Sequence, residues 1–145
     1  MRRRVALVPL VALLLAGCAG PLPPPGPTIP GLAGTTWQLV RFKGSDDTIV
    51  TPGERSQYTL MFARDGGFSA RIDCNRAHGT WASAAPGRVE LGPLAMTRAA
   101  CQPGSLHDRM VRHLSMVRSY IIRDGRLFLS LMADGGIYEF GPSAP

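Results

Sequence analysis

The sequence predicts an α+β fold that is mainly antiparallel β, built as one domain with a single helix. Three observations carry this. Turn signals recur at Asp65-Gly66, Asp124-Gly125 and Asp134-Gly135, each set between short apolar runs, the pattern of a β-hairpin. Glycine at 17 and proline at 13 among 145 residues interrupt any long helix or coiled coil. One stretch alone, from Ser105 to Val117, repeats apolar residues at helical spacing. A hydrophobic content of 45% against 18% charged residues supplies a core and excludes a wholly disordered chain.

The elements follow in order. Arg2, Arg3 and Arg4 precede an apolar run from Val5 to Leu15, the charged and hydrophobic regions of a secretory signal. A bilayer span needs about 20 apolar residues, and here Ala16, Gly17 and Cys18 follow at once. Leu15-Ala16-Gly17-Cys18 resembles the lipobox of bacterial lipoproteins, in which the signal is cut before the cysteine and the cysteine and its new amine are acylated. The alternatives are a plain secretory signal with Cys18 incidental, or an uncleaved anchor. On the lipobox reading, residues 1–17 are a signal peptide and 18–34 are a lipidated cysteine with a proline-rich tether. The tether, crowded with proline from Pro21 to Pro30 and uncharged, would stand a domain roughly 40 Å from the bilayer. Ala19, where an aspartate would favour inner-membrane retention, leans the expectation toward the outer membrane, facing the periplasm.

Residues 35–141 form the expected domain, with 142–145 a flexible tail. Thr36 to Lys43 reads as the first strand, followed by a polar loop from Gly44 to Gln57. Tyr58 to Ala63 and Phe68 to Asp73 flank the Asp65-Gly66 turn, and Thr80 to Ala84 pairs with Arg88 to Leu91 around Ala85-Pro86-Gly87. In the helix, Leu106, Met110, Leu114 and Val117 share one face, and Ser105 with Asp108 resembles a capping box. Tyr120 to Arg123, Leu127 to Met132 and Ile137 to Phe140 close the chain as a meander.

If Cys18 is lipidated, Cys74 and Cys101 remain as an even pair in an oxidising compartment, which favours a disulfide. The competing arrangement places Cys74, His78, Cys101 and His107 around zinc, with spacings that fit zinc sites poorly.

Several segments together resemble the META domain, the family of the heat-shock protein HslJ. They are Trp37-Gln38-Leu39-Val40, Asp73-Cys74-Asn75-Arg76 with Gly79 behind it, Met96-Thr97-Arg98-Ala99-Ala100-Cys101, and the closing Leu127-Phe128-Leu129 and Ile137-Tyr138-Glu139-Phe140 strands. The resemblance implies a small, partly open β-barrel with one helix packed across it, and no established enzyme activity. It marks Trp37, Asn75, Gly79 and Thr97 as motif residues, with Asn75 read as a buried side chain that hydrogen-bonds loop backbone. Asp73 stands where the family usually has glycine, which leaves the local turn geometry open.

Chemistry is sparse. No nucleophile elbow, phosphate loop, dinucleotide fingerprint or zinc-protease motif occurs. His78, His107 and His113 read as surface or boundary side chains, Asp46 and Asp47 as solvent-facing, and Trp37 and Trp81 as core residues that could also stack on a ligand at a barrel mouth. The net charge of +6 owes half its value to the signal, and the +3 left on residues 18–145 falls short of a nucleic-acid footprint. The expected protein is therefore a non-enzymatic, lipid-anchored envelope protein that binds or scaffolds, in the setting of stress or antibiotic tolerance. It calls for no catalytic residue, cofactor, metal or nucleic acid, and its partners are the membrane through the lipid and an envelope protein or small ligand. The alternatives are a lysozyme-type inhibitor and a hydrolase with an unrecognised site.

Overall fold

The computed structural model describes residues 31–143. The expected signal peptide 1–17, the lipidation residue Cys18, the tether as far as residue 30, and residues 144 and 145 lie outside the described residues.

Ten strands and one helix follow along the chain: β1 Thr35–Lys43, β2 Ile49–Val50, β3 Tyr58–Phe62, β4 Gly67–Ile72, β5 Asn75–Ala82, β6 Glu90–Leu91, β7 Ala95–Met96, α1 His107–Leu114, β8 Val117–Arg123, β9 Arg126–Leu131 and β10 Ile137–Pro142. The sheet runs β6-β5-β4-β3-β1-β10-β9-β8, with β2 beside β1 and β7 beside β5, and every pairing is antiparallel. Its two ends meet just before β6, where Val89 N–H donates to the Arg118 carbonyl at 3.2 Å and Tyr120 N–H to the Gly87 carbonyl at 2.9 Å. The result is a barrel-shaped sheet, nearly closed, with an unsealed seam between β6 and β8.

Alternation along each strand sends one set of side chains inward. Trp37 and Leu39 of β1, Leu60 and Phe62 of β3, Leu127 and Leu129 of β9, and Phe140 of β10 fill the core. The helix crosses it by inserting Met110 and Leu114. Val117, expected on the same helical face, instead opens β8 and is buried there, because the chain leaves the helix at Ser115. Nor does a capping box form. Ser105 Oγ accepts from the His107 N–H at 3.1 Å, while Asp108 turns to the His107 ring.

Further corrections concern boundaries. The tether expected to end at residue 34 stops earlier, since Leu32 is buried and its carbonyl accepts from the Thr35 N–H and hydroxyl. The tail expected from residue 142 is partly strand, because Pro142 pairs with Trp37, and Ser143 N–H donates to the Thr36 carbonyl. The loop from Gly44 to Gln57 contains β2 and a 3-10 turn, Arg55–Gln57. The fourth long strand begins at Asn75, not Thr80, with Asn75 and Ala77 inward and Arg76 and His78 outward.

Glu139 points away from the core yet is buried. Arg41 of β1 and Arg126 of β9 cover it, with Arg41 Nε 2.6 Å from one carboxylate oxygen and Arg126 on the other. Burial pushes its carboxyl up, but the hydrogen bonds and charges of the two guanidiniums outweigh that and hold it below the usual carboxylate range.

The turn between β4 and β5 is two residues, Asp73-Cys74, closed by the Ile72–Asn75 pair. Asp73 adopts φ +57°, a left-handed conformation in which a Cβ is strained and glycine is not. That geometry accounts for glycine being usual there. Asp73→Gly is accordingly expected to raise stability by about 0.5–1 kcal/mol, net of glycine's extra freedom in the unfolded chain. Denaturant unfolding checks this; an unchanged or lower midpoint would show that the Asp73 side chain contributes more than its backbone strain costs.

Candidate functional site

The turn carrying Cys74 leads to the site. Cys74 and Cys101 are joined by a disulfide, their Cα atoms 5.4 Å apart, so the segment before α1 is tied to the start of β5. The bond overturns the zinc arrangement, because both thiolates it would need are occupied. His78 lies on the outer face of β5, away from His107.

Beside the disulfide, Asn75 is 1% exposed and acts as a substitute peptide group. Its Oδ1 accepts from the Ala99 N–H at 2.7 Å, and its Nδ2 donates to the Ala99 carbonyl at 3.0 Å, as a neighbouring strand would. Thr97 Oγ1 donates to the same Oδ1 at 2.8 Å and accepts from the Arg76 N–H at 3.0 Å. Gly79 serves a steric purpose. A Cβ there would stand 2.7 Å from the Pro93 carbonyl oxygen, so only glycine lets residues 93 and 94 cross the edge of β5.

These contacts hold the segment 94–105 away from α1 and leave a cleft of about 830 Å³ between them. Leu94, Met96 and Val111 give it an apolar floor, and Arg98, Gln102 and Asp108 a polar rim. His107 stands at its inner wall. The second Nδ2 hydrogen of Asn75 reaches His107 Nε2 at 3.1 Å, so Nε2 is the acceptor and the proton sits on Nδ1, which donates to Asp108 Oδ1 at 2.8 Å.

This wiring limits the chemistry. A histidine acting as general base needs Nε2 free toward a nucleophile, and here Asn75 occupies it. Ser105, the nearby hydroxyl, accepts from the His107 N–H and lies 3.5 Å from Tyr58 Oη. Histidine, aspartate and serine are close together but not connected as a relay. Among the described residues no three His, Cys, Asp or Glu side chains converge as metal ligands.

The remaining sequence candidates lie elsewhere. Trp37 is buried, with its Nε1–H on Thr35 Oγ1, and Trp81 donates to the Ala63 carbonyl with its ring edge-on to Phe62. Neither lines the cleft. Asp46 accepts from the Thr48 N–H, and Asp47 pairs with Lys43 at 2.9 Å. Sequence reasoning missed the contact of His107 with Asn75 and the cleft side of residues 94–98, because neither shows in spacing or periodicity.

His113, at the other end of α1, packs on Phe42 and meets Tyr138 Oη at 2.9 Å. Burial lowers its pKa below the usual imidazole value, and the charges of Arg109 and Arg112 lower it further. Between the folded and unfolded pKa values the unfolded chain carries a proton that the folded one lacks, so stability falls as pH drops below about 6.5 toward the depressed value. In His113→Gln that part of the slope should vanish, as urea midpoints from pH 7.5 to 5.5 would show.

The sequence profile of the META domain matches residues 30–144, which takes in the whole barrel and the cleft. The chain belongs to the META domain family. Two solved structures resemble this META domain. One is a protein from Burkholderia xenovorans, determined by NMR, with TM-score 0.68 and 23% identity over 86% of this chain and 99% of that one. The other is a duf4847 family protein from Bacteroides vulgatus, a crystal structure, with TM-score 0.58 and 16% identity over 79% of this chain and 96% of that one. At these identities the likeness is one of fold. No curated protein matches the chain.

Proposed function

We propose that this is a lipid-anchored protein of the bacterial cell envelope, held at the outer membrane and facing the periplasm, whose META domain binds or scaffolds without catalysing a reaction. Stress or antibiotic tolerance is the setting such a role would serve. The observation that carries the reading is the cleft beside the Cys74–Cys101 bond, whose histidine is hydrogen-bonded at both ring nitrogens while its rim and apolar floor stay open. A site of this kind suits recognition better than turnover. The disulfide fits an oxidising compartment, and Leu15-Ala16-Gly17-Cys18 fits the anchor.

The test is site-specific photo-crosslinking in intact cells, with the crosslinker at Gln102 on the cleft rim and, as a control, at Asp124 in the distant β8–β9 turn. A discrete envelope product from Gln102, absent from Asp124 and lost in Cys18→Ser, is the expected result. Equal products from both positions, or none from Gln102, would overturn the cleft as the binding site. Free, unacylated Cys18 by mass spectrometry would overturn the anchor. Lysozyme incubated with micromolar protein should keep its activity.

A further inference from the structure

We propose that the cleft receives an extended, acidic segment of another polypeptide, which adds as a strand to the open edge of β7. The proposal rests on the binding role given to the cleft and names its partner. β7 pairs with β5 through Ala77–Met96 and His78–Ala95, and Thr97 N–H donates to the Arg76 carbonyl at 3.0 Å. In an antiparallel ladder, bonded and non-bonded pairs alternate. With Arg76–Thr97 bonded, Ala77–Met96 is a non-bonded pair, and the N–H and C=O of Met96 point outward from the sheet. Arg98, two residues on, has the same parity. Among the described residues, no hydrogen bond reaches the backbone groups of Met96 or Arg98.

An open edge is normally covered, charged or bulged, because it is a template for strand pairing. This one is instead held rigid. The β5 ladder fixes one side of it, Asn75 clamps Ala99, and the disulfide anchors Cys101. A fixed edge loses little freedom when a strand docks. Both Met96 and Arg98 line the cleft, so a segment added there would set alternate side chains over Leu94, Met96 and Val111.

Charge selects the segment. Arg98 has no carboxylate partner among the described residues. Asp108, the acid lining the cleft, is held by His107. A carboxylate on the incoming strand would meet Arg98 without displacing an existing pair.

The experiment selects seven-residue peptides from a random displayed library against the full chain in detergent micelles. The best binder is then resynthesised with a single N-methyl group at each position in turn. Expected are an acidic residue in the selected peptides, an affinity loss of about tenfold or more for methylation at every second residue, and little change between. Arg98→Glu should lose the acidic peptide by a similar factor and regain binding when its acid becomes lysine. Loss at consecutive positions, or none at any, would show side-chain recognition and overturn strand addition. So would failure to select any peptide, and a Gln102 crosslink in cells would then leave the binding role standing. Amide exchange in wild type and Arg98→Glu confirms that both are folded when compared.

Discussion

Replacing Cys74 and Cys101 together with alanine is expected to lower the unfolding free energy by about 3–4 kcal/mol. The bond links residues 27 apart, and closing a loop of that size restricts the unfolded chain by roughly 3.5 kcal/mol on the entropic model. Small domains have about 5–15 kcal/mol in all, so the loss is a large fraction. Denaturant unfolding of the oxidised and doubly substituted proteins measures it. Both cysteines must be changed, since a single substitution leaves a free thiol. A difference below about 1 kcal/mol would mean that the unfolded chain is already compact across this span, or that the native bond is strained.

Asn75→Ala is the second large effect, expected to cost about 3 kcal/mol. Removing the carboxamide of buried Asn75 takes away at once the partner of the Ala99 N–H and C=O, the acceptor of the Thr97 hydroxyl and the donor to His107 Nε2, and empties the space it filled. Asn75→Asp keeps the shape and one acceptor but turns an oxygen toward the Ala99 carbonyl, so it should cost about as much. Both substitutions act on the segment that the disulfide also orders, so combining Asn75→Ala with loss of the bond should depart from additivity by about 1 kcal/mol. Additive losses would show that the carboxamide and the covalent link stabilise separate parts of the domain.

Both of these features were legible in the sequence, by different routes. Cys74 and Cys101 were legible because they are the pair left once Cys18 is assigned to the lipid, and Asn75 because it stands in the Asp73-Cys74-Asn75-Arg76 segment that resembles the family motif. The Asp65-Gly66 and Asp124-Gly125 hairpins were equally plain, and Asp124 and Gly125 both take the positive φ that a two-residue turn demands. By contrast β2 and β7 are two residues each and have no pattern of their own. Their pairing comes from β1 and β5, which no local window contains. The first half of β5 was hidden because an inward asparagine and a glycine break the apolar alternation. Val117 matched the helical period by coincidence, since a residue that opens a buried strand must also be apolar. Leu32 looked like tether because it follows a proline-rich run, and only a contact with the distant core reveals it. The cleft itself was illegible, being a space between segments and not a string of residues.

The pairing of β1 with β10 bears on how the chain is made. The opening strand finds its permanent neighbour in the last of the described strands, at a separation close to the length of the whole domain. A nascent chain stalled before Ile137 therefore exposes one side of Trp37-Gln38-Leu39 with nothing to zip against. The barrel cannot assemble until Ile137–Pro142 is present, and products truncated before it should be cleared as unfolded polypeptide.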